Sequence, residues 1–257
     1  MFMRARVPIY NGSQSLEMTK RYNYTTPLEK TAQSAFYALR NHKEVTTIWN
    51  RINNTAIWEC ATCCFNRWQP DTMEEFKVQY ESHKNHKELI NHYATVLRDN
   101  DPFKQQHSVY YWFIIYHLIV ETFRGCQREK QIEEYLQHNG FEVVHGDDED
   151  DIYCGIDLIA SNDACSYALQ VKPISFFRGN NNQGLIEDRK RAFQKEQNTL
   201  DKYGIPTYYI IYNGDELVRN SKGKLCHRLK DLITRDGKTK IDINQEINDI
   251  SKLTHQN

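Results

Sequence analysis

The sequence predicts an α/β (α+β) fold in which a central mixed sheet is combined with a mostly helical N-terminal region. One observation is the hydrophobic pattern of residues 129–213, which alternates between helical and strand spacing in the order helix, three strands, helix, strand. Another is that residues 27–51 and 73–97 carry apolar positions at helical spacing. We therefore predict a helical region over residues 1–105 and an α/β core with a C-terminal extension over residues 106–257.

The predicted core begins with a helix over residues 129–137. Ile132 and Leu136 lie on one face of this helix because they are four residues apart, and Gly140 provides a helix stop. A short strand is predicted directly after the stop, over residues 141–144.

Two further strands are predicted over residues 155–161 and 166–172. The turn-forming residues 162–164 between them favour an antiparallel hairpin. A second helix is predicted over residues 185–203. The run at residues 205–212 is rich in β-branched and aromatic side chains, which predicts a largely buried strand that completes the core.

The alternation of side chains in the predicted hairpin is expected to bring three polar residues close together. In the first strand Ile156 and Leu158 share one face, while Asp157 lies on the other. In the second strand Gln170 and Lys172 share a face, and a suitable register brings Asp157 beside them. A carboxylate and an amide oxygen are ligands suited to Mg²⁺, and a neighbouring lysine can stabilise phosphate charge. The pattern therefore indicates a metal-dependent phosphodiesterase centre.

With these elements in place, residues 120–213 resemble the PD-(D/E)xK nuclease superfamily. The segment GIDLIA matches the strand of the family's PD motif, with Ile156 in place of proline before Asp157. The segment QVK matches the (D/E)xK strand, with Gln170 in place of the acidic residue. The segment GCQREKQIEEYLQHNGFEVV is similar to the family's first helix and strand, where a glutamate near the helix start faces the metals. Glu129 fits that position.

The resemblance implies a restriction-endonuclease-like core that hydrolyses DNA with Mg²⁺ and leaves 5′-phosphate and 3′-hydroxyl ends. It implies that Asp157, Gln170 and the backbone carbonyl of Val171 bind the metal. It also implies that Lys172 serves the attacking water and that Glu129 is an auxiliary ligand. Since an amide oxygen lacks the charge of a carboxylate, Gln170 should lower the metal affinity. Variants with glutamine at this position are a known branch of the superfamily.

The length of the chain around the core favours a Type II restriction endonuclease, in which the additions read a short sequence of double-stranded DNA and a homodimer cuts both strands. One alternative is a Holliday-junction resolvase or DNA-repair nuclease, and another is an inactive DNA-binding protein on a nuclease fold. A structural interpretation is also open. Asp157 could cap a turn, Gln170 and Lys172 could face solvent on an edge strand, and Glu129 could be a solvated helix residue.

Two segments are candidates for contact with DNA. One follows the QVK strand closely and offers an arginine and several amide side chains, which can bond phosphates or base edges. The other is a basic stretch of the second predicted helix. The alternatives are a flexible loop for the first segment and a solvated charged face for the second. The candidate residues are Arg178, Asn180, Asn181, Asn182, Arg189 and Lys190.

Composition restricts the class of protein. The chain has 33 Lys and Arg against 34 Asp and Glu, so any surface for nucleic acid must be local. Seven cysteines and the lack of an apolar core in residues 1–10 favour a reduced, cytoplasmic protein. The longest apolar run, residues 109–120, is shorter than the roughly 20 residues that cross a membrane. It predicts a buried helix that packs against the α/β core.

A structural zinc site is a further alternative for the N-terminal region. Cys60 and Cys63 have C-x2-C spacing, and three histidines follow in one helical stretch, at His83, His86 and His92. A structural zinc ion needs four ligands in a closed geometry. Free cysteines also commonly pack as small hydrophobic residues, which is the other interpretation of this segment.

Overall fold

The computed structural model describes residues 26–53, 55, 57–146, 150–179, 183–213, 216–220 and 223–240. These residues belong to two units, which divide between Arg128 and Glu129. The sequence predicted a boundary after residue 105. The division falls later because the apolar run at residues 109–120 supplies much of the hydrophobic core of the first unit, whereas the sequence assigned this run to the α/β core.

The first unit, as far as it is described, is built from helices, as predicted for the N-terminal region. Thr26 caps the first helix by accepting a hydrogen bond from the backbone N–H of Glu29 at 3.2 Å. In chain order the helices are α1 (Pro27–Leu39), α2 (Lys43–Asn53), α3 (Ala61–Trp68), α4 (Met73–Ser82), α5 (His86–Asn100) and α6 (His107–Ile115). A π-helical turn (Tyr116–Val120) connects α6 to α7 (Glu121–His138). Among the described residues, no helix is long and apolar enough to cross a membrane.

A buried ion pair ties α1 to the start of α7. Arg124 donates from Nε to Oε1 of Glu29 at 3.1 Å and from Nη2 to Oε2 at 2.6 Å. This two-point geometry matches the fork of the guanidinium to both carboxylate oxygens, which makes it stronger than a single contact. Glu29 is buried, so the pair fixes the two helices around the apolar core between them.

In the part that the structure describes, the second unit contains a mixed sheet of six strands. Its strands are β1 (Glu142–His145), β2 (Leu158–Asn162), β3 (Cys165–Pro173), β4 (Thr207–Asn213), β5 (Glu216–Leu217) and β6 (Cys226–His227). Its helices after α7 are α8 (Gln183–Tyr203) and α9 (Leu229–Leu232). β1, β2 and β3 are antiparallel neighbours, whereas β4 is parallel to β3 and is reached through α8. The predicted α/β (α+β) class with a mixed sheet is therefore confirmed.

The turn between β2 and β3 explains the hairpin. The side-chain Oδ1 of Asn162 accepts hydrogen bonds from the backbone N–H groups of Ala164 and Cys165, both at 3.0 Å. An asparagine side chain that bonds its own backbone in this way favours a tight reversal of the chain. The pairing of Leu158 with Leu169 sets the register, and the predicted antiparallel hairpin is confirmed.

The helices α7 and α8 pack on opposite faces of the sheet. Ile132 of α7 lies in an apolar core with Leu169 of β3 and Tyr208 of β4. Ala192 of α8 lies in another core, with Tyr209 of β4. Since neighbouring residues of a strand point to opposite faces, the two cores lie on opposite sides of the sheet.

Candidate active site

Asp157 lies one residue before β2, where its backbone joins three strands. Its N–H donates to the carbonyl of Leu169 in β3 at 3.0 Å, and its carbonyl accepts from the N–H of Gly146, which follows β1, at 3.2 Å. Because both backbone groups are bonded, the position of the Asp157 side chain is set by the sheet itself.

The carboxylate of Asp157 is shared by two residues of β3. Oδ2 accepts a hydrogen bond from the backbone N–H of Val171 at 2.6 Å, and Nζ of Lys172 lies 3.7 Å from the same oxygen. The N–H and C=O of one strand residue point to the same edge of the strand, so the Val171 carbonyl is directed to the same side as its N–H. The structure thus brings Asp157, Val171 and Lys172 together at the point where β2 and β3 separate.

Simple alternation does not extend to this position. The register of the hairpin would pair Asp157 with Gln170, yet its N–H bonds to the carbonyl of Leu169 instead. Ile156 correspondingly packs with Ala168, whereas Leu158 belongs to the core on the α7 side. The prediction that Ile156 and Leu158 share a face is therefore wrong, because the chain has left the regular ladder before β2 begins.

Gln170 lies on the α8 side of the sheet and is only 2 % exposed. Its Nε2 donates to the carbonyl of Cys154 at 3.4 Å, so its Oε1 is directed away from that carbonyl. A Cβ atom on Gly155 would come within 2.6 Å of this Nε2 and within 2.7 Å of Cδ of Lys195. The side chain of Gln170 therefore fits only because residue 155 is glycine, whose φ of +65° also suits no other residue well.

The segment before Asp157 is held by α8. A π-helical turn (Asp150–Cys154) lies against the C-terminal half of this helix. Asn198 Nδ2 donates to the carbonyl of Tyr153 at 2.7 Å, and the Thr199 hydroxyl donates to the carbonyl of Cys154 at 3.3 Å. Nζ of Lys202 lies 3.0 Å from Oδ1 of Asp150. These bonds fix the chain that leads into the candidate site.

Glu129, the candidate auxiliary ligand, lies half-buried in α7. Ile132 and Leu136, three and seven residues later, pack on the sheet face opposite to that of Gln170 and Lys172. The helix that carries Glu129 is the predicted one. A role for Glu129 at the metal stays a prediction.

The donor set suits Mg²⁺ better than a transition metal. The ligands predicted from the resemblance are one carboxylate at Asp157, the amide oxygen of Gln170 and the carbonyl of Val171, all hard oxygen ligands of the kind that Mg²⁺ binds while keeping several waters. Within the described part of the chain, no three or more His, Cys, Asp or Glu side chains are grouped to hold a metal. Asp157, Gln170 and Val171 offer oxygen atoms that Mg²⁺ accepts as ligands, and a metal site at these residues stays a prediction.

The histidines considered for zinc have other partners. Nε2 of His83 lies 2.6 Å from Oε2 of Glu59, and Nδ1 of His86 lies 3.1 Å from the carbonyl of Tyr80. Cys60 is exposed, just before α3, while Cys63 is half-buried. The ring of His83 is thus in contact with a carboxylate, and burial lowers the pKa of His86.

The proposed DNA-facing stripe on α8 needs correction at Arg189. This side chain is fully buried, and its guanidinium donates to four backbone carbonyls. The acceptors are the carbonyls of Phe176 at 2.6 Å, Arg178 at 2.7 Å, Gly179 at 2.8 Å and Gly237 at 3.2 Å. Arg189 therefore joins two loops to α8 and does not face phosphates, because it is fully buried and donates to carbonyls inside the protein.

The other candidate DNA contacts differ in their surroundings. Nζ of Lys190 lies 2.7 Å from Oε1 of Glu187, and both side chains are exposed. Arg178 is half-buried, and its Nε has no hydrogen-bond partner among the residues that the structure describes. Asn180, Asn181 and Asn182 lie outside the described residues.

Two residues near this site were not identified by the sequence analysis. Tyr209 of β4 pairs with Gln170 across the parallel strands. Its pKa is raised well above the usual range, by burial and by the negative charges of Glu196 and Asp157. Glu196 of α8 is half-buried, and burial raises its pKa to about 7. The signal for Glu196 was its place at helical spacing between the buried residues Ala192 and Thr199.

Comparison with protein-family models, with curated proteins and with solved structures finds no match to this chain. The case for a function therefore comes from the residues and their geometry.

Proposed function

We propose that this protein is a Mg²⁺-dependent endonuclease that hydrolyses phosphodiester bonds of double-stranded DNA. The proposal is supported chiefly by two contacts of the Asp157 carboxylate. Its Oδ2 lies 2.6 Å from the backbone N of Val171 and 3.7 Å from Nζ of Lys172. A carboxylate, a carbonyl and a cationic amine at the point where two strands separate suit a phosphate and a divalent cation together.

Each residue has a separate task in this proposal. Asp157, the Gln170 amide oxygen and the Val171 carbonyl would hold the Mg²⁺ ion. Bound there, the metal would supply charge that polarises the phosphate and makes water a better nucleophile. Lys172 orients the attacking water and offsets the charge that develops on the phosphate. Asp157 in turn holds Lys172 in place through their ion pair.

The arrangement of secondary structure supports the same proposal. The order α7, β1, β2, β3, α8, β4, with three antiparallel strands and then a parallel one, agrees with the core that the resemblance to PD-(D/E)xK nucleases implies. Fold analogy alone does not establish a reaction. It adds weight here because Asp157 and Lys172 lie together at one end of the hairpin of this core.

We further propose a Type II restriction endonuclease that acts as a homodimer on a short DNA sequence and leaves 5′-phosphate ends. The support is the amount of chain beyond the core, since residues 26–128 form a helical unit of their own. Such an addition is available to read DNA, whereas a Holliday-junction resolvase of this superfamily is usually close to the bare core.

A plasmid digest with Mg²⁺ tests the proposal. We expect discrete DNA fragments from the wild-type protein, and loss of cleavage by ~100-fold or more for Lys172→Ala. Lys238→Ala is the matched control, because Lys238 belongs to the same unit and makes an exposed ion pair with Asp236 at 3.3 Å. Its cleavage should equal that of the wild type.

The outcomes of this digest separate the candidates. Cleavage restricted to branched DNA would favour a resolvase, and DNA binding without cleavage would favour an inactive nuclease fold. Wild-type cleavage by Lys172→Ala would contradict the proposed mechanism.

A further inference from the structure

The hydroxyl of Tyr209 is buried without a hydrogen bond. The side chain is 0 % exposed, and its Oη has no hydrogen-bond partner among the described residues. The ring itself is well packed, with its centroid 5.9 Å from that of Phe177 in an edge-to-face arrangement. A phenylalanine would keep this packing and would avoid leaving a polar group unpaired. The hydroxyl thus needs a reason other than packing.

The hydroxyl also lies next to the candidate site. Tyr209 pairs with Gln170 in the parallel register of β3 and β4, so both side chains point to the α8 side of the sheet. Both are almost completely buried. The carboxylates of Asp157 and Glu196 are near enough for their charges to act on the hydroxyl. Tyr209 therefore lies beside Gln170, within reach of the charges of Asp157 and Glu196.

A phenol in these surroundings acts as a hydrogen-bond donor. Burial and the negative charges of Glu196 and Asp157 all oppose its ionisation. A buried donor that lacks an acceptor costs free energy, and an oxygen atom that enters the site with a ligand would remove that cost. Groups that hold metal ligands through such hydrogen bonds strongly affect the affinity for the metal.

We propose that Tyr209 is a positioning residue of the candidate active site, whose hydroxyl donates a hydrogen bond to an oxygen atom held beside Asp157 and Gln170 when Mg²⁺ is bound. The inference rests on the proposed function and extends it to a residue outside the matched motifs. Tyr209 acts through Asp157 and Gln170, and it does not touch the DNA because it is fully buried.

The proposed role of Tyr209 is tested by removing the hydroxyl group from each of two neighbouring tyrosines. Tyr209→Phe removes the unpaired hydroxyl, whereas Tyr208→Phe removes one that points to the opposite face and accepts a hydrogen bond from Arg228 at 3.1 Å. Mg²⁺ affinity is measured by titration calorimetry without DNA, and unfolding of the metal-free proteins is measured in urea. Cleavage of plasmid DNA is then measured against Mg²⁺ concentration.

We expect Tyr209→Phe to bind Mg²⁺ about tenfold more weakly and to need correspondingly more Mg²⁺ for half-maximal cleavage. Its metal-free form should be at least as stable as the wild type. Tyr208→Phe should keep the wild-type Mg²⁺ affinity. Wild-type Mg²⁺ affinity in Tyr209→Phe would overturn this inference alone. A wild-type protein that binds no Mg²⁺ would overturn both this inference and the proposed function.

Discussion

The backbone N–H of Val171 donates to Oδ2 of Asp157 at 2.6 Å, so a side chain takes the place of a strand partner where β2 and β3 separate. This bond has two consequences. It aligns the carboxylate next to Lys172, and it satisfies an N–H that the sheet no longer pairs. Asp157 therefore has a structural task and a proposed catalytic task, which different substitutions can separate.

Asp157→Asn should keep the structural task and lose the catalytic one. The amide oxygen can still accept from Val171, so we expect the free energy of unfolding to stay within about 1 kcal/mol of the wild type. DNA cleavage should fall by ~100-fold or more because the charged metal ligand is gone. Asp157→Ala should lose cleavage and a further ~1–2 kcal/mol of stability, since the Val171 N–H then lacks its acceptor.

The matched control is Asp163→Asn in the turn of the same hairpin, where the side chain is exposed. Urea unfolding and plasmid cleavage should both stay at wild-type values. Cleavage by Asp157→Asn at the wild-type rate would show that this carboxylate does not hold the metal.

Gln170→Glu should make the protein more dependent on Mg²⁺. The Nε2 donor to the Cys154 carbonyl is replaced by a carboxylate oxygen in a place that is 2 % exposed. We expect the metal-free variant to be ~2 kcal/mol less stable at pH 8, because a buried charge is left without compensation. Mg²⁺ should bind more tightly than to the wild type and restore the lost stability.

The stabilisation of Gln170→Glu by Mg²⁺ is measured by thermal unfolding with and without the metal. Gln194→Glu, on the exposed side of α8, is the control. If Mg²⁺ stabilises Gln170→Glu no more than the wild type, Gln170 is not a metal ligand.

Gly155→Ala should damage the site by displacing Gln170. Gly204→Ala is a matched control, since the φ angles are +65° at Gly155 and +69° at Gly204, but only Gly155 has side chains in the space of a Cβ. Both variants should lose ~1 kcal/mol from the unfavourable φ. Gly155→Ala should lose ~1–3 kcal/mol more from the contact with Gln170 and Lys195. Urea unfolding of the two variants isolates this difference, and equal losses would contradict the packing argument.

The sequence was sufficient for the features that depend on local pattern. The hairpin turn at Asn162 and the pairing of β2 with β3 follow from turn chemistry and strand alternation. Alternation was not sufficient at Ile156, because a backbone bond outside the regular ladder turns this residue to the other side. A positive φ at Gly155 has no signature in side-chain periodicity.

Arg189 on α8 shows a second reason why the structure differs from the sequence prediction. Arg189 appears in the sequence as part of a basic stretch, yet the loops around Phe176 and Gly237 supply carbonyls that let it be buried. The carbonyl of Gly237 belongs to a residue 48 positions further along the chain, so the local sequence around Arg189 does not reveal it. The same holds for Tyr209, which comes beside Gln170 only through the crossover that makes β4 parallel to β3.

Glu196 gives the wild-type protein a predictable dependence on pH. Its carboxyl lies in the buried stripe of α8, where burial raises the pKa from 4.5 to about 7 against the opposing effects of Arg228 and the backbone N–H of Leu229. The folded state therefore binds this proton more tightly than the unfolded state. Its stabilising effect is complete below pH 4.5 and is lost as the pH rises through about 7.

Glu196→Gln should remove this dependence because the amide does not titrate. Between pH 5 and pH 8 the wild type should lose ~1–2 kcal/mol of unfolding free energy relative to the variant, a value reduced to allow for the partial exposure of the carboxyl. Urea unfolding at both pH values measures the difference. Glu134→Gln, which removes an exposed carboxylate of α7, should follow the wild type. A Glu196→Gln profile parallel to that of the wild type would show that the carboxyl is already ionised at pH 5 in the folded protein.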